Sequence, residues 1–162
     1  MVLKIFPKFI EIKCGVMGKY VTKYGVGIAI VLILYFLLTK FLGWHQYPVL
    51  SSLNAVIFGG GIFYAIRNYK RDSSSFNYQE GFQLGLFTGG LATIIFSIFM
   101  AIYIFQLDHQ FAEAILDSWN LNFNKGALIV IVSLVIMGFS TTFVLTLAFM
   151  QLLKDSWNQK HS

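Results

Sequence analysis

The chain has 162 residues, of which 57% are hydrophobic and 17% aromatic but only 12% charged. A soluble domain carries roughly 25% charged residues, so the polar side chains here are too few to cover a surface facing water. The net charge of +5 does not argue for nucleic acid, because long apolar blocks separate the basic residues; anionic lipid suits them better. With Cys14 as the single cysteine, an intramolecular disulfide and a multi-cysteine metal site are both excluded.

Residues 1–23 form a basic lead-in, with Lys4, Lys8, Lys13, Lys19 and Lys23 against the single acid Glu11. Phe6, Phe9, Ile10, Ile12, Val16 and Met17 suit the headgroup region of a membrane, with the lysines reaching outward. Pro7 and Gly15 are expected to limit any helix there to a short piece between them. Two readings stay open for this stretch: a genuine membrane-surface segment, or an extension (1–16) ahead of a start at Met17.

The first apolar block, 24–42, is long enough to cross a hydrocarbon core of about 30 Å at about 1.5 Å per residue. It exceeds a signal-peptide core and lacks a small-x-small cleavage site after it, so it reads as an uncleaved anchor. Lys40 near its end is placed to snorkel. Gly43 to Pro48 makes a tight connection carrying Trp44, His45 and Tyr47, residue types that anchor at the membrane interface. A second span is expected over 49–66, with small residues at Ser51, Ala55 and Gly59, ended by Arg67, Lys70 and Arg71. Asp72, Ser73, Ser74, Ser75 and Asn77 then read as a surface turn.

The third span, 82–105, is the most patterned stretch. Gly81, Gly85, Gly89, Thr93, Ser97 and Ala101 recur every four residues. Residues four apart stack on one face of a helix, so these six leave a groove nearly free of side chain. In water each such glycine weakens a helix by about 1 kcal/mol relative to Ala. In lipid, small residues admit a neighbouring backbone, and packing drives association. The expectation is a glycine-zipper packing helix at the centre of a bundle. Closure within one chain is favoured over an oligomer interface or a pore lining.

Between the third and fourth spans, Phe111, Ala112, Ile115, Leu116 and Trp119 share one helical face while His109, Glu113, Asp117 and Asn120 share another, with Asp108 as cap. This pattern predicts a short amphipathic helix lying on the outer membrane face. The fourth span, 127–153, repeats the four-residue spacing at Gly138, Thr142 and Thr146, and a polar tail (154–162) follows. Ten of the twelve Lys and Arg fall in the N-terminal segment, the second connection and the tail. By the bias of basic residues toward the cytoplasm, both termini are expected on the cytoplasmic side.

Two pairs of segments carry a family resemblance. Lys23-Tyr24-Gly25 opens one span and Ala65-Ile66-Arg67-Asn68-Tyr69 closes the next; Tyr78-Gln79-Glu80-Gly81-Phe82-Gln83-Leu84-Gly85 enters the third span and Phe96 to Ile104 leaves it. Together they resemble the domain of unknown function 4199 family of bacterial membrane proteins, typical of Bacteroidota, over about Lys19 to Lys154. The resemblance implies a four-helix integral membrane protein without an established biochemical role. It supplies no catalytic or binding residue.

The remaining constellations have plainer explanations. His109, Glu113 and Asp117 have the i, i+4, i+8 spacing that brings metal ligands together, with His45 available from the other outer loop. A surface helix must be polar at those positions anyway, and no metal is assigned. The spans hold no ionisable residue away from their ends, which disfavours a coupled ion transporter. Thr88, Thr93, Ser97, Ser133, Ser140, Thr141, Thr142 and Thr146 read as structural glue. Glu80 complements a helix N-terminus, and Cys14 reads as an inert small residue. No catalytic residue, cofactor or nucleic-acid surface is expected.

The expected fold is therefore an all-α integral membrane bundle of four transmembrane helices with a short extracytoplasmic amphipathic helix. Two function classes follow: a non-enzymatic scaffold or accessory subunit associating with other membrane proteins or with itself, and a small channel or transporter of a neutral solute.

Overall fold

The computed structural model describes residues 5–43, 48–73, 76–106 and 126–153. They form four long α-helices: α1 (Ile5–Phe41), α2 (Pro48–Asp72), α3 (Tyr78–Gln106) and α4 (Gly126–Leu152). No strand occurs among the described residues. Among the described residues, three stretches are long and apolar enough to cross a membrane, namely Gly15–Phe41, Tyr78–Gln106 and Leu128–Leu152. The helical form is what such a solvent requires, because it satisfies every interior backbone N–H and C=O within one segment. The amphipathic segment with Asp108, His109, Glu113 and Asp117, the loop residue His45 and the tail 154–162 lie outside the described residues.

The N-terminal expectation needs correction. One helix runs unbroken from Ile5 to Phe41, through both Pro7 and Gly15. Pro7 is the third residue of α1, inside the first turn, where backbone N–H groups have no intrahelical acceptor and a missing one costs nothing. Gly15 sits mid-helix, where a penalty of about 1 kcal/mol is spread over a helix of 37 residues. At its other end α1 stops at Gly43, whose φ of +69° is the left-handed conformation open to glycine. The Gly43 N–H reaches back to the Lys40 carbonyl at 3.1 Å.

The second helix also runs further than its apolar stretch. It continues to Asp72, so Arg67, Lys70 and Arg71 occupy its last turns instead of a loop. Cations there complement the negative end of the helix dipole. Asn77 caps α3, its carbonyl accepting the Gly81 N–H at 3.2 Å, and Glu80 lies in the first turn.

The inner pair of the bundle is α2 and α3, each of which touches all three other helices, while α1 and α4 flank the pair without packing on each other. The side chains of Ile62, Ala65, Ile66, Leu84 and Ala92 between them have no exposure. A second cluster, Met100, Tyr103, Ile104 and Val130, closes the other end. Outside, large apolar residues stand exposed on every helix, among them Leu34, Val56, Ile98 and Ile136. A belt of that extent on all sides is what a lipid-facing surface presents.

Candidate functional site

Two places concentrate what chemistry the chain has: the seam between α3 and α4, and a polar cluster where α1 and α2 meet. Along the seam the two helices run antiparallel, and small residues on one side meet larger ones on the other at four-residue steps. A Cβ placed on Gly81 would lie 2.6 Å from the Met150 sulfur; one on Gly85 would lie 2.9 Å from the Thr146 Oγ1; one on Gly89 would lie 2.7 Å from the Thr142 Oγ1. One step further the arrangement inverts: Gly138 of α4 faces Thr93 of α3, with 2.8 Å to its Oγ1. The other side of α3 is also engaged, since Gly85 and Gly89 meet Ile66 and Ile62 of α2. Beyond these, Ser97 is buried and Ala101 half-buried.

These approaches explain the residue types. Cβ contacts under 3.0 Å are essentially never found, so each glycine marks a point where the facing side chain occupies the space a methyl group would need. Each atom pair in close contact contributes only about 0.1–0.2 kcal/mol of dispersion, but a seam of several turns collects many. Of the hydroxyls here, those of Thr88, Thr93, Ser97 and Thr146 are buried without a hydrogen-bond partner among the described residues, whereas that of Thr142 has one. Thr142 donates to its own-helix Gly138 carbonyl at 2.7 Å and turns its methyl toward Gly89, which keeps a polar atom satisfied inside an apolar interface.

The polar cluster was not visible in the sequence as a unit. Tyr20 of α1 donates to a carboxylate oxygen of Asp72 at 2.5 Å. One turn on, Asn68 of α2 donates its side-chain N–H to the Tyr24 hydroxyl at 2.7 Å. Tyr20 stacks on Tyr24 with ring centroids 6.2 Å apart and meets Tyr69 edge-on at 5.5 Å. Arg71 Nε reaches Asp72 Oδ1 at 3.2 Å. Asp72 lies at the solvent end of α2, and the Tyr20 hydroxyl, followed by the Arg71 guanidinium, holds its carboxyl below the ordinary range. Lys19, Tyr20, Lys23, Tyr24, Asn68, Arg71 and Asp72 together line a pocket of about 370 Å³.

The partners in this cluster lie 44 and 52 residues apart in the chain, so no local motif announces it. One signal was present: Tyr24 and Asn68 belong to the two halves of the first segment pair that carries the family resemblance. Gly25, in the same half as Tyr24, lets α1 reach α3, with the Thr88 carbonyl 3.1 Å from where its Cβ would be.

Lys70 points the other way from Arg71. Its ammonium donates to the Leu153 carbonyl at 2.8 Å, tying the end of α2 to the end of α4. Among the described residues, no three His, Cys, Asp or Glu side chains converge on a point that could hold a metal ion.

The family model described as "Protein of unknown function (DUF4199)" matches residues 23–125. That range takes in α1 from Lys23 together with all of α2 and α3, and leaves α4 outside. No curated protein and no solved structure matches the chain.

Proposed function

The chain belongs to the DUF4199 family of proteins of unknown function, and on that premise we propose that it is a non-enzymatic bundle in a bacterial inner membrane, acting as a scaffold or accessory subunit for other membrane proteins. In this reading all four helices cross. Support for α2 as a span comes from its pairing with α1: Tyr20 meets Asp72, Tyr24 meets Asn68 and Ile28 meets Gly61, an antiparallel course alongside a helix apolar enough to cross. The basic ends of α1 and α2 then lie together on the cytoplasmic side, with both termini. Cys14 offers a direct check, since a membrane-impermeant maleimide would label it only after the membrane is opened.

The observation that carries the scaffold reading is the use made of the hydroxyl residues in α3 and α4. Thr142 and Thr146 fill the spaces over Gly89 and Gly85. Side chains that line a solute path would face an open lumen, so the neutral-solute channel loses its main motivation. What the bundle does offer a partner is its exposed apolar belt, and the glycine stripe serves as the internal brace that holds that belt in shape.

Photo-crosslinking residues placed at Leu34, Ile98 and Ile136, all on the outer belt, test this in native membranes. At least one position is expected to yield a discrete protein adduct. Lipid adducts alone at all three would sink the proposal. Solute leak from vesicles holding the pure protein would revive the channel.

A further inference from the structure

The pocket between α1 and α2 has a charge imbalance that its packing role does not explain. Lys19, Lys23 and Arg71 line it against a single carboxylate, Asp72. That carboxylate is already engaged by the Tyr20 hydroxyl and by Arg71 Nε. Lys19 and Lys23 form no ion pair among the described residues, and four-residue spacing puts both on the face of α1 that carries this pocket. The Lys23 ammonium lies 5.6 Å from the Tyr24 ring centroid. The Tyr24 hydroxyl accepts from Asn68, which leaves its own proton to donate.

We propose that this pocket holds the phosphate of an anionic phospholipid headgroup, received between Lys19, Lys23 and Arg71. Charge complementarity favours it: three cations against one anion leave a surplus of two, and a phosphodiester supplies one negative charge. The C-terminal end of α2 opposes an anion with roughly half a charge, too little to cancel that surplus. A single water needs roughly 10–15 Å³ of cavity space, so a pocket of about 370 Å³ has room for a phosphate with its glycerol. The lipid is a better source than free phosphate because of depth. Tyr20 and Tyr24 form one wall, and tyrosines of this kind sit at headgroup level, one to two turns from the buried apolar residues Ile28 and Ala29.

The inference is independent of lateral association, and the two can fail separately. The test uses the full chain purified in a neutral detergent, offered equal amounts of phosphatidylglycerol and phosphatidylcholine and read by native mass spectrometry. The wild-type protein is expected to retain phosphatidylglycerol over phosphatidylcholine. Since a basic residue near a membrane surface is worth about fivefold in attraction to anionic lipid, the triple variant K19Q/K23Q/R71Q is expected to lose at least tenfold of that preference. K19R/K23R, which keeps the charges, should preserve it, and so should Lys40→Gln, which removes a cation at the other end of α1. Circular dichroism confirms that each variant remains helical. Equal retention of the two lipids overturns the proposal, as does a loss from Lys40→Gln matching that from the triple variant. Displacement of the lipid by excess inorganic phosphate assigns the pocket to free phosphate and overturns the lipid assignment.

Discussion

Thr142 of α4 stands over Gly89 of α3 so closely that a methyl group on the glycine would come within 2.7 Å of the threonine Oγ1. Ile62 of α2 closes the same space from the other side, with 2.9 Å to its Cδ1. Three helices therefore meet at one atom-sized gap.

Gly89→Ala is expected to destabilise the bundle by about 1–3 kcal/mol, the usual cost of adding a methyl group to a packed interior. Thr142→Ala removes the atoms that the new methyl strikes. The double variant should lose less than the sum of the two single changes, and a thermal-unfolding double-mutant cycle in detergent measures the coupling.

Gly27 and Gly60 are the opposite case, for nothing lies within 4 Å of a Cβ built on either. Both are inside helices, where Ala is favoured over Gly by about 0.5–1 kcal/mol. Gly27→Ala and Gly60→Ala should each leave the melting temperature unchanged or raise it. A marked fall would show that these glycines serve an interface with another molecule.

Asp72 gives the bundle an acid-sensitive contact. Its folded carboxyl is lowered, first by the Tyr20 hydroxyl and then by Arg71. A lowered folded pKa means that the stabilisation is fully present above the unfolded value of about 3.9 and is lost as pH falls through the lower folded value. Tyr20→Phe removes the main cause, so the variant should melt below the wild type above about pH 4, and the gap between the two should close as pH falls further. Thermal melts across the acid range read this, and superimposable curves for the two proteins would contradict it.

Lys70 joins the ends of two helices through the Leu153 carbonyl. Lys70→Met is expected to cost about 1.5–3 kcal/mol, as for hydrogen bonds to charged groups. Hydrogen exchange should rise in the last turn of α4, with α3 unchanged.

The helical class was legible because long apolar runs and four-residue recurrence are local and need only one helix to be seen. Thr142 and Gly138 already shared that spacing in the fourth apolar block, although nothing in the chain announced that they would face Gly89 and Thr93. Helix ends were less legible. Pro7 and Gly15 were given their interior penalties without allowance for the tolerance of a first turn or for the length of α1. The polarity of Arg67, Lys70 and Arg71 marks the edge of the apolar span, whereas the backbone hydrogen bonds of α2 continue past that edge to Asp72. The Tyr20–Asp72 and Tyr24–Asn68 pairs lay beyond reach for a different reason. Their partners come together only when α1 and α2 lie side by side, and alternating tyrosines and lysines read equally well as interface anchors with no partner.

The flanking position of α4 bears on biosynthesis. A ribosome delivers this helix after the other three, so while it is being made the side of Gly81, Gly85 and Gly89 that α4 will cover stays open, with Ile66 and Ile62 of α2 meeting Gly85 and Gly89 from the other side. Arrival of Met150, Thr146 and Thr142 covers that side together, in one docking event. Until then the nascent protein is incomplete along one closely fitted edge, and any quality-control factor that surveys newly inserted helices would find it there.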